Sequence, residues 1–233
     1  MQITKAALLK TTLIDYPEKI ACTIFLPGCN LRCPFCHNKN LVFDDEKNLL
    51  PIEEIIKHIN KRKNTLQGVC ISGGEPLIYS DLPDLVKEIR SAGIKNIKID
   101  TNGILTDRLF DADPDYIAMD IKTVPEKYNM LTGDFIDKDI AEKINNSIAK
   151  IMGSKIMYEF RTTLVPGIID YKDLEEIACL VKGCMKYTLN KFSKKNTLDI
   201  NYSKITPYSE EEYKTFLEIL KRQNIPAFFR GSF

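Results

Sequence analysis

Apolar positions along the chain follow two alternating rhythms. Unbroken, partly β-branched apolar runs mark buried strands, and apolar residues three or four apart mark helices. Ile20–Leu26 is the first such run and predicts a buried strand. Pro51–Lys63 carries Ile52, Ile55, Ile56 and Ile59 at helical spacing. Gly68–Ser72 predicts a short strand, followed by a helix over Asp81–Ala92 with Leu82, Leu85, Val86 and Ile89 on one face and Gly93 as its stop. Strands are predicted over Asn96–Thr101 and Asp115–Ile121, then a helix over Lys138–Met152 with Ile140, Ile144 and Ile148 in register. Lys155–Val165 predicts a strand ended by Pro166 and Gly167, Tyr171–Val181 a helix, and Lys186–Leu189 a strand. Ser209–Arg222 predicts a helix whose Ser209 and Glu212 have capping-box spacing, and Phe228–Arg230 a last short strand.

Repeated strand–helix alternation implies a parallel sheet with helical crossovers. About six repeats suit an incomplete, curved (β/α)6 barrel. No fixed-period repeat, low-complexity linker or charge block divides the chain, so residues 1–233 read as one domain.

Composition narrows the class. Apolar residues make up 44% and charged residues 28%, which excludes a disordered or fibrous chain. Lys and Arg number 33 against 32 Asp and Glu, a net charge of +1, so no global attraction to nucleic acid or an anionic membrane is expected. The longest apolar stretch ends at Pro27 and Gly28, far short of a membrane span, and no export signal is visible, so a cytoplasmic protein is expected. Seven cysteines in such a chain point to metal or redox chemistry rather than disulfides.

Gly28–Asn38, Ser72–Pro76, Thr101–Gly103 and Ile121–Thr123 each follow a predicted strand. In parallel α/β folds those loops form the active face, at the C-terminal ends of the strands. The first holds Cys29, Cys33 and Cys36, a C-x3-C-x2-C spacing. Three thiolates on one loop can converge on one metal centre. Structural zinc wants four ligands, and His37 adjoins Cys36 too closely to complete a tetrahedron without strain. A four-iron cubane held by three cysteines keeps one iron open for an exchangeable ligand. A zinc knuckle and a set of buried thiols are the alternatives. The second loop reads Ser72-Gly73-Gly74-Glu75-Pro76. Its glycines let a ligand approach the backbone, and Glu75 offers an acceptor for an ammonium group, while the plainer reading is a tight turn before a helix.

Cys29–Cys36 followed by Ser72–Pro76 resembles the radical S-adenosylmethionine superfamily. The resemblance implies that fold, with Cys29, Cys33 and Cys36 holding a [4Fe-4S] cluster whose open iron chelates S-adenosylmethionine. Gly73, Gly74 and Glu75 would meet the methionine moiety and Phe35 the adenine. One electron would then yield a 5′-deoxyadenosyl radical, with the protein orienting the cofactor and excluding water. Leu13–Pro17, with Ile24–Asn38 after it, resembles the activating proteins of anaerobic ribonucleoside-triphosphate reductase. Tyr116–Lys122 and Arg161–Gly167 resemble segments of glycyl-radical-enzyme activases. The likeness runs from about Leu13 to Gly167 and fades beyond, with Lys186–Leu198 matching nothing.

By the same resemblance, Thr101 and Asn102 border the cofactor, and Asp100, Thr101 and Asp120 could bind a monovalent cation. Asp120 and Lys122 would face the cofactor or the partner's glycine loop, and Arg161 the methionine carboxylate. Plainer readings are an Asx turn closed by Gly103, a strand-end ion pair and a surface arginine. Cys22 and Cys70 read as core, as do Cys179, Cys184, the methionines and Phe228-Phe229. His37 would shield the cluster edge.

No dinucleotide or Walker-type loop and no nucleophile–base pair occurs in the sequence. The chain offers no extra domain to cover a radical site, so a partner protein is expected to close it. The expected function is to generate a glycyl radical on anaerobic ribonucleotide reductase, with electrons from a flavodoxin- or ferredoxin-type donor. Another glycyl radical enzyme, a nucleic-acid base or a small metabolite is the alternative substrate, and a zinc or iron–sulfur interaction module the alternative class.

Overall fold

In the computed structural model, which describes residues 2–43 and 47–231, every predicted strand and helix is present, with ends shifted by no more than two residues. Contacts group the chain into two units. The first comprises Met1–Asn30, Asn40–Thr101 and Leu105–Ile117, the second Leu31–Lys39, Asn102–Ile104 and Ala118–Phe233.

The first unit contains β1 (Lys5–Thr12), β2 (Ala21–Leu26), β3 (Leu50–Pro51), β4 (Gly68–Gly73) and β5 (Asn96–Thr101), in the order β3-β1-β2-β4-β5. β2, β4 and β5 run parallel, pairing Cys22 with Val69 and Cys70 with Lys98. β1 joins β2 antiparallel, with Leu8 opposite Ile24, and pairs with the short β3. The helices are α1 (Lys39–Val42), α2 (Ile52–Lys61), α3 (Leu82–Ser91) and α4 (Asp107–Asp111). α2 and α3 supply the crossovers that parallel neighbours require, and they bury the apolar stripes read from the sequence: Ile55 and Ile59 on α2, and Leu82, Leu85, Val86 and Ile89 on α3. Ile24, Val69, Ile71, Ile97 and Ile99 are fully buried in the sheet, each contributing roughly 1.5–3 kcal/mol.

The chain crosses between the units within β6 (Tyr116–Asp120). The second unit continues with α5 (Ile140–Gly153), β7 (Met157–Leu164), α6 (Tyr171–Leu180), β8 (Tyr187–Lys191), α7 (Glu210–Arg222) and β9 (Ala227–Arg230). β7, β8 and β9 pair in parallel, with Arg161 beside Thr188 and Leu189 beside Phe229. Ser209 and Glu212 form the predicted capping box: Glu212 N–H donates to Ser209 Oγ at 3.3 Å, and Ser209 N–H to Glu212 Oε2 at 2.7 Å. Asp170 and Asp173 cap α6 in the same way.

Several expectations are corrected. β1, β3 and α4 lack an apolar signature; β1 buries only Ala6 and Thr12. Cys22, Cys70 and Cys184 are buried as expected, but Cys179 is exposed. α6 packs Leu174, Ile177 and Ala178 inward, and Cys179 is turned off that face. Phe228 is exposed because β9 is an edge strand: Phe229 packs on Tyr213 with 4.6 Å between ring centroids, and Phe228 points outward. Met130, Met157 and Met185 are likewise exposed, whereas Met119 is core.

Candidate active site

Within the first unit, one end of the parallel sheet is built around Gly73 and Gly74. Gly73 has φ +116°, and a Cβ there would lie 2.4 Å from the Leu26 carbonyl oxygen. A Cβ on Gly74 would lie 1.8 Å from the Gly28 carbonyl oxygen. Only glycine permits this approach. It lets Gly74 N–H donate to Leu26 O at 2.8 Å and Glu75 N–H to Gly28 O at 2.9 Å. The Ser72–Pro76 loop is thereby sewn to the residue preceding Cys29. Gly28 N–H donates to Leu41 O at 2.7 Å, and Tyr79 Oη donates to Pro27 O at 2.8 Å, fixing the same turn from two further sides.

Glu75 is fully buried. Its Oε1 accepts from Leu77 N–H at 3.1 Å, capping the single 3-10 turn Pro76–Ile78, and from Thr101 Oγ1 at 2.8 Å. Thr101 ends β5 and is itself buried. Two sequence-singled residues, Glu75 and Thr101, therefore form one hydrogen-bonded pair. On alternate β5 positions, Lys98 and Asp100 form an ion pair, with Ser72 Oγ donating to Asp100 Oδ2 at 3.0 Å.

In the second unit, Cys33-Pro34-Phe35-Cys36 forms a turn closed by Cys36 N–H donating to Cys33 O at 3.0 Å. Proline presets this geometry. Arg32 N–H donates to Leu131 O at 2.7 Å, and Asp199 N–H donates to Pro34 O at 2.9 Å. Phe35 is buried, with Tyr202 as ring neighbour at 6.4 Å. Asp199 and Tyr202 escape sequence reading. They lie beyond the stretch that resembles known activases, and no spacing marks them. Asn102 forms the Asx turn: its Oδ1 accepts from Ile104 N–H at 3.1 Å, and Gly103 takes φ +82°.

At the end of β6, Asp120 is held by two cations. Arg161 Nε donates to Oδ1 at 2.8 Å, and Lys122 Nζ donates to Oδ2 at 3.3 Å. The strand-end ion pair is thus present, and Arg161 is a buried member of it rather than a surface residue. Burial alone would raise the Asp120 pKa. The Arg161 and Lys122 charges outweigh it and hold the carboxyl well below the usual range. For Lys122, burial favours the neutral amine, but Asp120 and then Cys33 more than offset it and keep the ammonium charged. Tyr128 fixes the backbone here, its Oη accepting from Lys122 N–H at 2.9 Å, while Thr162 Oγ1 donates to Ile121 O at 2.6 Å. Burial, followed by the Lys122 charge, lowers the His37 pKa, so a neutral imidazole adjoins Cys36 at neutral pH.

A family model described as the radical SAM superfamily matches residues 23–181, from β2 to the end of α6. The chain belongs to that superfamily. Its α/β fold with a mostly parallel sheet is the fold of this family, and it is an enzyme of this kind. A Methanocaldococcus jannaschii protein, provisionally named a glycyl-radical enzyme activating enzyme, is 31% identical over 95% of this chain and 93% of its own. A Methanococcus maripaludis protein provisionally named a GTP 3′,8-cyclase is 27% identical over 84% of this chain and 67% of its own. Among solved structures, a domain of pyruvate-formate lyase-activating enzyme from Bacteroides vulgatus shares the fold, with TM-score 0.54 and 20% identity over 70% of this chain and 99% of that one.

Radical SAM enzymes use a [4Fe-4S] cluster and S-adenosylmethionine, and the residues here fit both. All seven cysteines, the three of the loop included, are thiols. Among the described residues no three His, Cys, Asp or Glu side chains are drawn together as a metal site; the fit rests on donor chemistry, since three thiolates are the ligands iron–sulfur clusters take. The space at Gly73 and Gly74 is taken by the Leu26 and Gly28 backbone, so the fit to the cofactor's amino-acid end rests on Glu75, whose carboxylate is buried and suited to an ammonium group. A monovalent cation does not fit in the same way: both carboxylates named for it, Asp100 and Asp120, already carry cationic side chains. No helix among the described residues is long and apolar enough to cross a membrane.

Proposed function

We propose that the protein activates a glycyl radical enzyme, with anaerobic ribonucleoside-triphosphate reductase as its partner. The observation that carries the reading is the 31% identity spanning almost the whole of both this chain and the M. jannaschii protein. The resemblance of the Leu13–Pro17 and Ile24–Asn38 segments to the activating proteins of that reductase supports this choice of partner.

When bound, the cluster and S-adenosylmethionine supply the one-electron chemistry that removes a hydrogen atom from the substrate. Cys29, Cys33 and Cys36 are the cluster ligands in this reading. Gly73, Gly74 and Glu75 hold the amino-acid end of the cofactor, the buried Glu75 carboxylate accepting from its ammonium. Phe35 meets the adenine, Thr101 and Asn102 border the cofactor, and Arg161 reaches its carboxylate. Asp120 and Lys122 meet the partner's glycine loop. Their mutual ion pair and the Tyr128 clamp limit their motion, so little ordering entropy remains to be lost on docking. A flavodoxin- or ferredoxin-type protein delivers the electron. A reducing cytoplasm suits thiolate ligands of this kind.

A second reading, in which a small nucleotide is the substrate, is favoured by the likeness to the M. maripaludis protein. Anaerobic mixing of the cluster-reconstituted protein, a chemical reductant, S-adenosylmethionine and either reductase or GTP separates the two. A glycyl doublet on the reductase in electron paramagnetic resonance is the expected result. Cofactor cleavage that GTP stimulates, with no doublet on the reductase, would overturn it.

A further inference from the structure

The polar face shared by β4 and β5 carries a cation of its own. Cys70 and Lys98 are register partners on these parallel strands, and Ser72 and Asp100 follow each by two residues. Side chains two apart on a strand share a face, so the four residues form one cluster. Lys98 is fully buried, one of the largest side chains with no exposure, and its ammonium lies on Asp100 Oδ1 and 3.7 Å from Cys70 Sγ. Ser72 occupies Asp100 Oδ2. A lysine is almost never fully buried unless paired, and burying either charge without the other would be costly.

A site for an alkali cation needs oxygen ligands whose charge is still available. Asp100 has one carboxylate oxygen on an ammonium and the other on a hydroxyl. Thr101, next in the strand, turns its hydroxyl to Glu75 instead. A cation brought to Asp100 would stand against the Lys98 ammonium in a poorly solvated place, where like charges repel more strongly than in water. Asp120 is separately neutralised by Arg161 and Lys122. We infer that Lys98 is a tethered replacement for a monovalent cation: its ammonium supplies the positive charge at Asp100, and the enzyme binds no alkali ion there. Lys98 is then a positioning residue, holding Asp100 and, through it, the Ser72 hydroxyl at the entrance to the Gly73-Gly74 loop.

The test is the melting temperature of the full chain, as purified and after cluster reconstitution, in potassium, sodium or choline chloride at fixed ionic strength. The wild type is expected to melt at one temperature in all three salts. Lys98→Met removes the charged atom and leaves room for an ammonium-sized ion. It should melt lower in choline and regain about 3–6 °C in a saturable way with potassium, the rise expected of a site filled to roughly ten times its dissociation constant. Lys98→Arg keeps the charge and should show no salt preference. A saturable, potassium- or sodium-specific rise in the wild type would overturn the inference. So would a folded Lys98→Met variant indifferent to the cation. Should that variant fail to fold, Lys98→Gln takes its place and the wild-type arm still decides. None of these readings depends on cofactor cleavage or on a partner protein, so they stand or fall separately from the activase assignment.

Discussion

Replacing Gly74 by alanine puts the sharpest load on the link between the glycine loop and the cluster loop. The added methyl would sit 1.8 Å from the Gly28 carbonyl oxygen, a backbone atom that no side-chain rotation can move away. The strands must separate locally, and two backbone hydrogen bonds, Gly74 to Leu26 and Glu75 to Gly28, lengthen or break. At about 1 kcal/mol each, these bonds account for about 2 kcal/mol, and overpacking a tight site adds about 1–3 kcal/mol. The expected destabilisation is thus about 3–5 kcal/mol. For a chain of this size each kcal/mol lowers the melting temperature by about 2–4 °C, so the variant should melt at least about 6 °C lower. Because Gly28 directly precedes Cys29, iron retention after anaerobic reconstitution should fall with it. Gly153→Ala is the control: it ends α5 with nothing within 4 Å of its added Cβ and should be neutral or slightly stabilising. Thermal unfolding and iron analysis of the two variants side by side read the outcome. A Gly74→Ala protein with wild-type melting temperature and full iron content would show that the glycine loop does not brace the cluster loop.

Two further outcomes follow from the second unit. The Asp120 carboxyl is held below its ordinary value of 3.8, so its contribution to stability is complete above that value and is lost as pH falls further. Asp120→Asn should cost about 2–3 kcal/mol at pH 7, and the difference from wild type should shrink below pH 4, as chemical denaturation from pH 7 to pH 3 would show; a constant difference would refute the pairing. Tyr202→Ala removes the ring beside Phe35, an aromatic contact worth about 0.5–1.5 kcal/mol beyond its buried area. Iron release to a chelator should quicken in that variant, and an unchanged release rate would show that the Ile200–Lys204 turn does not steady the cysteine turn.

The apolar code by itself determined the long elements, because the strands of a parallel sheet are buried on both faces and its helices on one, and each leaves its period in the sequence. The cysteine spacing, the Ser72–Pro76 loop and the family they imply were legible for a related reason: ligand number and backbone approach are fixed by residue type at short range. Tertiary structure alone decided the rest. β1 carries no apolar alternation because half of its side chains are exposed, and its pairing with β2 and β3 is what makes it a strand. Cys179 and Cys184 look alike in sequence, yet the rotation of α6 exposes one while the other is buried. Lys98 precedes Asp100 by two residues on one strand, but its full burial and its place against Cys70 come only from the β4–β5 register. Arg161 becomes the partner of Asp120 only when β7 lies beside β6. Charge pairing across strands depends on which residues the register brings within a few ångströms, and nothing local to either residue encodes that distance.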